Sequence, residues 1–315
     1  MNYNSILGQP VLVGSLKRAV KEDMVANGYI FCGPKGSGKK LTAAVFAKAL
    51  NCRSEEDDKP CGNCTSCRKF DSNNHPNIEI IKPTGASIKI KQIREIVAKV
   101  AKRPFESGFK VVILDEAEKM TQDAQDAFLK TLEEPPANTI FILLVQNQYS
   151  LLPTVVSRCQ TFFMRKITTQ QIENYLLEHY KYDKEQISFA AISANGIIGR
   201  AIEMLSNKEL QESRRLYVSL ISKISNNSYT ESSAAAGELV DSREAAERLL
   251  DFMLSWYRDI LISKQDCEKH VFVNSDNADI IMRQGEKLDE NKLNRIIDVI
   301  KRTISYINHK APKTV

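Results

Sequence analysis

The stretch Gly33-Pro34-Lys35-Gly36-Ser37-Gly38-Lys39-Lys40 decides the fold. It fits the pattern G-x-x-x-x-G-K, in which glycines let successive backbone N–H groups converge on a phosphate. Lys39 supplies positive charge there, and the helix that follows favours an anion at its N-terminus. Lys40 stands where this pattern requires Ser or Thr, whose hydroxyl holds the Mg²⁺ that bridges the outer phosphates. The loop therefore argues strongly for the fold and far less strongly for nucleotide binding. Tyr29–Cys32 before it reads as a short strand, and Lys40–Leu50 after it as a helix. Strand, glycine turn and helix open a P-loop unit.

A second segment, Val111-Val112-Ile113-Leu114-Asp115-Glu116, matches a Walker B strand. Asp115 would orient magnesium and its water, and Glu116 would activate the attacking water. Four apolar residues ending in acids are common alone. After a P-loop they gain weight.

The elements between and beyond fit a mostly parallel sheet covered on both faces. Residues 10–27 show helical spacing, with Val13, Leu16, Val20 and Met24. Ile78–Ile81, Val111–Leu114 and Ile140–Val145 read as strands. Ile88–Lys102, ended by Pro104, and Gln122–Leu132, stopped by Pro135 and Pro136, read as helices. After Arg165 no strand signal remains. Helices are expected over Gln171–Tyr180 and Ile187–Ala194, from Gly199 onward and through Tyr306, with a loop within Asn226–Gly237.

Residues 51–70 interrupt the α/β order with a polar segment carrying Cys52-x8-Cys61-x2-Cys64-x2-Cys67. Thiolates two residues apart can share a metal, and four complete a tetrahedron. A closed Cys₄ site leaves no position for substrate, so the spacing predicts structural zinc. Cys32, Cys159 and Cys267 read as ordinary buried thiols.

Composition narrows the class. The chain has 315 residues, 44 basic and 39 acidic, for a net charge of +5. Residues 75–110 hold eight basic and three acidic residues, an excess equal to that of the whole chain. The basic stretch suits a nucleic-acid backbone or a solvated helix face. The longest apolar run, Ile140–Val145, is far short of the ~20 residues a membrane helix needs. The start, MNYNSILGQP, lacks a secretory pattern. These features predict a cytoplasmic location and reduced thiols.

The segments GPKGSGKK, the Cys₄ insert, VVILDEAEKM, FLKTLEEPP, LLPTVVSRCQ and WYRDIL occur in this order along nearly the whole chain. The set resembles the bacterial DNA polymerase III clamp-loader family. That resemblance implies a RecA-like AAA+ P-loop module over 1–165 with a zinc insertion at 51–70, a helical lid over 166–207 and an all-α collar over 208–315. It implies ATP-driven seating of a sliding clamp on primer-template DNA, in a hetero-oligomer with gamma/tau and delta subunits. Carried over residue by residue, Gly33, Gly36, Ser37, Gly38, Lys39 and Lys40 would form the nucleotide cradle. Gln146 or Asn147 would be sensor 1, and Arg200 of Gly199-Arg200-Ala201 would be sensor 2. Arg158 of Ser157-Arg158-Cys159 would reach the ATP of a neighbouring subunit.

Lys40, the stretch HPNIEIIKP followed by SIKIKQIRE, and the modest length look more like the delta-prime type than the gamma/tau motor type. Intact Asp115 and Glu116 keep the ATP-hydrolysing motor as the alternative. A zinc-dependent DNA-binding module would leave the P-loop order unexplained.

Overall fold

A computed structural model describes the chain except residues 56–57, 102–106, 226–228, 265–271, 275–276 and 311–315. Two compact units are present, one formed by 1–171 with 197–199, the other by 172–196 with 200–315.

The first unit runs α1 (Pro10–Lys21), β1 (Gly28–Cys32), α2 (Lys39–Leu50), α3 (Thr65–Asp71), β2 (Ile78–Ile81), α4 (Ile90–Val100), β3 (Lys110–Leu114), α5 (Gln122–Glu133), β4 (Thr139–Val145), α6 (Pro153–Val156) and β5 (Gln160–Phe163). The five strands form one sheet in the order β2-β3-β4-β1-β5. Every pairing is parallel, with Phe31 opposite Leu144 and Ile113 opposite Ile142. This is the RecA-like arrangement, with the strand that feeds the glycine loop inside the sheet. β1 and β4 are buried along their whole length, as strands covered on both faces must be.

Alternate residues of β1 serve opposite faces. Tyr29 and Phe31 join Val45, Phe46 and Leu144 on one side. Ile30 and Cys32 join Phe128, Phe141 and Leu143 on the other. Phe128 meets Phe141 edge-to-face with centroids 4.9 Å apart. Truncating such a buried ring costs about 3–5 kcal/mol.

The second unit is helical, taking all but the first residues of α7 (Thr169–His179) and α9 (Ile198–Ser206), with α8 (Lys184–Ser193), α10 (Lys208–Ser225), α11 (Tyr229–Leu239), α12 (Arg243–Ser263), α13 (Ala278–Lys287) and α14 (Glu290–Lys310). The segment WYRDIL lies in α12. Trp256, Tyr257, Asp259 and Ile260 are buried there. Trp256 Nε1 donates to Gln284 Oε1 at 2.8 Å. Asp259 accepts the N–H groups of Val273 and Asn274 at 3.0 and 2.7 Å. This segment builds a core.

Several elements depart from the sequence expectation. α1 stops at Lys21, because Asp23 turns left-handed (φ 53°) and the Met24 N–H returns to the Ala19 carbonyl at 3.0 Å. α4 starts at Ile90, since Ile88 bridges to Met120 instead. The expected end of that helix at Pro104 lies outside the described residues. β5 is a strand where none was expected, a short edge strand with little apolar burial to announce it. The expected loop within 226–237 is a helix from Tyr229 onward. Its alanines are strong helix formers, and Ala235, Ala236 and Leu239 pack against Tyr217 and Leu249.

Candidate nucleotide and metal sites

The glycine loop leaves the buried end of β1 and enters α2. Gly36 and Gly38 sit at φ 83° and 92°, a region that disfavours side chains. Gly36 also touches Gly199. The Gly199 N–H donates to the Gly36 carbonyl at 3.0 Å, and a Cβ at Gly199 would lie 2.6 Å from the Gly36 Cα. Only glycine fits there.

Lys39 Nζ donates to the carbonyls of Gly33 and Pro34 at 2.6 and 3.0 Å. Burial lowers the pKa of its amine, and Glu118, Cys32, Asp115 and Glu116 oppose that shift. Lys40 turns to the Walker B strand, with Nζ 3.3 Å from Asp115 Oδ2. Glu116, in the left-handed region at φ 54°, pairs with Lys119. That hydrogen bond holds its carboxyl below the usual range. Both Walker B acids are thus engaged by lysines. Thr42, the next hydroxyl along α2, donates to the Gly38 carbonyl at 3.0 Å and is buried. Ser37 is also buried, and its Oγ has no hydrogen-bond partner among the described residues.

Gln146 Nε2 donates to Glu118 Oε1 at 3.2 Å. Asn147 instead caps its own turn, accepting the Tyr149 N–H at 3.0 Å. Of the two sensor-1 candidates, Gln146 therefore faces the acidic side of the loop. Glu118, which the sequence reading missed, belongs to this charge set. Its signal was present in Asp115-Glu116-Ala117-Glu118. Arg200 lines a cavity of about 340 Å³ within the second unit, along with Arg214, Tyr217, Asp251 and Phe252.

Arg158 follows α6, next to the start of β5. Its Nη2 is 2.5 Å from Glu133 Oε1, and its Nη1 donates to the Thr154 carbonyl at 2.9 Å. The pair joins FLKTLEEPP to SRC, two segments far apart in sequence. Cys159 lies beside Gly28, where a Cβ would come 2.7 Å from its Sγ. Burial pushes its thiol up to about 12.

The ligand atoms of Cys52, Cys61, Cys64 and Cys67 all lie within 4.8 Å of one another. Cys64 caps α3. The backbone N–H groups of Cys61, Cys64 and Cys67 each donate to the sulfur of the preceding cysteine of the set at 3.4 Å. Burial works to raise the Cys64 thiol, but the N–H groups of Cys67 and Arg53 bring it down to about 6. Burial raises Cys67 and Cys52, and the Cys64 N–H lowers Cys61. Four convergent soft donors, each in reach of the others, fit one tetrahedral metal ion. Of the three thiols expected to be buried, Cys32 is buried, Cys159 is only partly so, and Cys267 lies outside the described residues.

In the basic segment, Lys91 and Arg94 are exposed on α4, whereas Lys99 pairs with Glu79 at 2.7 Å. Lys102 and Arg103 lie outside the described residues. Among the described residues, no helix is long and apolar enough to cross a membrane.

The sequence profile described as DNA polymerase III, delta subunit, matches residues 8–168, half of the chain. The chain belongs to the bacterial DNA polymerase III clamp-loader family. It is 33% identical over 212 residues to DNA polymerase III subunit delta' of Bacillus subtilis, covering 67% of this chain and 64% of that protein. It is 26% identical over 333 residues to the tau subunit of the same organism, covering 98% of this chain and 59% of that one. The chain therefore spans less than two thirds of these clamp-loader relatives. A solved DNA polymerase III gamma subunit-related protein of Thermotoga maritima aligns over 93% of this chain and 99% of its own, with 19% identity and a TM-score of 0.45.

Proposed function

We propose that this chain is a delta-prime-type subunit of a DNA polymerase III clamp loader that assists assembly and activates a neighbour without hydrolysing ATP itself. One observation carries the reading. The Lys40 ammonium lies 3.3 Å from Asp115, the carboxylate that would orient magnesium. A protonated amine has no lone pair for a metal. Without a centred ion, the outer phosphates lack the charge neutralisation that phosphoryl transfer needs.

On this reading Arg158 is a finger for the ATP of the adjoining gamma/tau subunit. Its half-exposed guanidinium would exchange Glu133 for phosphoryl oxygens. Cys52, Cys61, Cys64 and Cys67 hold structural zinc. Residues 166–207 act as lid and 208–315 as collar. The partners are gamma/tau and delta subunits in the cytoplasm, together with the sliding clamp and primer-template DNA. Exposed Lys91 and Arg94 are the candidates for the DNA backbone.

The motor reading draws on the presence of both Walker B acids. ATP turnover by the pure chain, measured beside its assembly with gamma/tau and delta subunits, separates the two. The proposal predicts a stable complex, and negligible ATP turnover by the chain alone. Magnesium-dependent turnover by the pure chain, abolished by Lys39→Ala, would restore the motor.

A further inference from the structure

A P-loop of this type implies a magnesium ion, and the residues present do not fit one. The hydroxyl position holds Lys40. Asp115 already carries the Lys40 ammonium at 3.3 Å. Thr42, the next hydroxyl, lies two positions further along α2 and is buried against the Gly38 carbonyl. Glu116 is paired with Lys119. The hydroxyl that the pattern places after Lys39 is thus missing, and both acids of the second motif are already paired with lysines.

The phosphate side of the loop is nonetheless retained. Gly36 and Gly38 keep the left-handed backbone of a cradle. α2 presents its N-terminus, with Lys39 in its first turn. Ser37 is buried in the loop with its Oγ lacking a hydrogen-bond partner among the described residues, 3.0 Å from the point where a Gly33 Cβ would stand. Lys35 is exposed on the same loop. The cradle thus holds three lysines and a helix N-terminus, and one of those lysines is anchored on Asp115, the carboxylate that would orient the ion.

We propose that this loop binds the phosphate tail of a nucleoside triphosphate without a divalent ion, the Lys40 ammonium on Asp115 serving as the fixed cation. The inference rests on the reading of the chain as the non-hydrolysing member of its complex. Its electrostatic consequence has a definite sign. Metal-free ATP carries two more negative charges than its magnesium complex. A cradle of lysines attracts the more highly charged form more strongly. An arriving ion would also have to displace an ammonium from Asp115. Magnesium therefore weakens binding here, the reverse of an ordinary P-loop.

The test is calorimetric titration of the full chain with ATP, in EDTA and in excess magnesium, at matched ionic strength. Wild type should bind more tightly in EDTA. Lys40→Thr supplies the missing hydroxyl and frees Asp115, so it should invert the preference, with magnesium tightening binding by about tenfold. Lys40→Ala removes the cation without supplying a hydroxyl, and should weaken binding in EDTA by about tenfold. Thermal melts of both variants confirm that the fold is kept. Absence of ATP binding in EDTA, tighter binding with magnesium, or an unchanged preference in Lys40→Thr would overturn the inference. None of these readouts depends on loader assembly or on a neighbour's ATPase, so failure here is separable from failure of the proposed function.

Discussion

Lys48, on the helix that follows the glycine loop, has a fully buried side chain and holds both carboxylate oxygens of Asp71, at 2.8 and 2.7 Å. Asp71 is the last residue of the helix that Cys64 caps. Lys48 also donates to the Met1 carbonyl at 3.1 Å. The cysteine module is thus clipped to α2 by one buried cation. Ser66 and His75 make a second buried tie at 2.9 Å.

Removing the acid should leave Lys48 buried without its counter-charge. Asp71→Ala is expected to destabilise the chain by about 2–3 kcal/mol, below the range for wholly buried pairs because Asp71 is partly exposed. Lys48→Met in the same background should recover much of that loss. Urea denaturation of the two variants and the double measures it. Equal stability of Asp71→Ala and wild type would mean that the clip holds nothing.

The cysteine set should bind one zinc ion. Metal analysis of the purified chain should give about one equivalent, and Cys52→Ser should lose it. Chelation should lower the melting temperature by roughly 5–10 °C, since metal binding is folding free energy for such a module. Retention of a full equivalent by Cys52→Ser would remove Cys52 from the site. A melting temperature indifferent to the chelator would make the metal incidental.

Asp259 gives a pH dependence of defined sign. Burial raises its pKa above the ordinary 3.8, with the Asn274 and Val273 N–H groups opposing the shift. A carboxyl raised in the folded state binds its proton more tightly there than when unfolded. The native state is therefore relatively favoured at low pH, and this contribution is lost as pH rises from about 4 through the folded value. Asp259→Asn cannot titrate. The stability of wild type relative to this variant should fall between pH 4 and pH 7. Denaturant midpoints across that range test it, and a constant difference would rule out the coupling.

The inner strands were legible because they are buried on both faces and read as apolar runs bounded by glycine, proline and acids. Ile140–Val145 and Val111–Leu114 are strands as expected, each extended by one residue at its start. The cysteine spacing likewise announced a cluster that the fold brings together. β5 escaped because Gln160–Phe163 is a half-exposed edge strand with no apolar run. α11 escaped because serine and asparagine signal a loop locally, while packing against Tyr217 and Leu249 decides the outcome. Lys40 was recognisable as a departure from the P-loop pattern. Its partner was not, because Asp115 lies two strands away in the sheet order and 75 residues on in the chain.

On the proposed function, Arg158 acts on a neighbour's nucleotide. Its pair with Glu133 is partly exposed, and such pairs contribute about 1 kcal/mol or less to stability. Arg158→Ala should therefore fold, melt close to wild type and enter the complex. The measurement is ATP hydrolysis, stimulated by clamp and primed DNA, by a loader rebuilt with this variant. Arginine fingers elsewhere contribute roughly 10³–10⁵ in rate, and in a loader with more than one ATP site a smaller but clear loss of turnover is predicted. Arg158→Lys should recover little, because lysine lacks the planar fork of donors. Wild-type turnover by an intact complex carrying Arg158→Ala would contradict the account and leave the chain a scaffold.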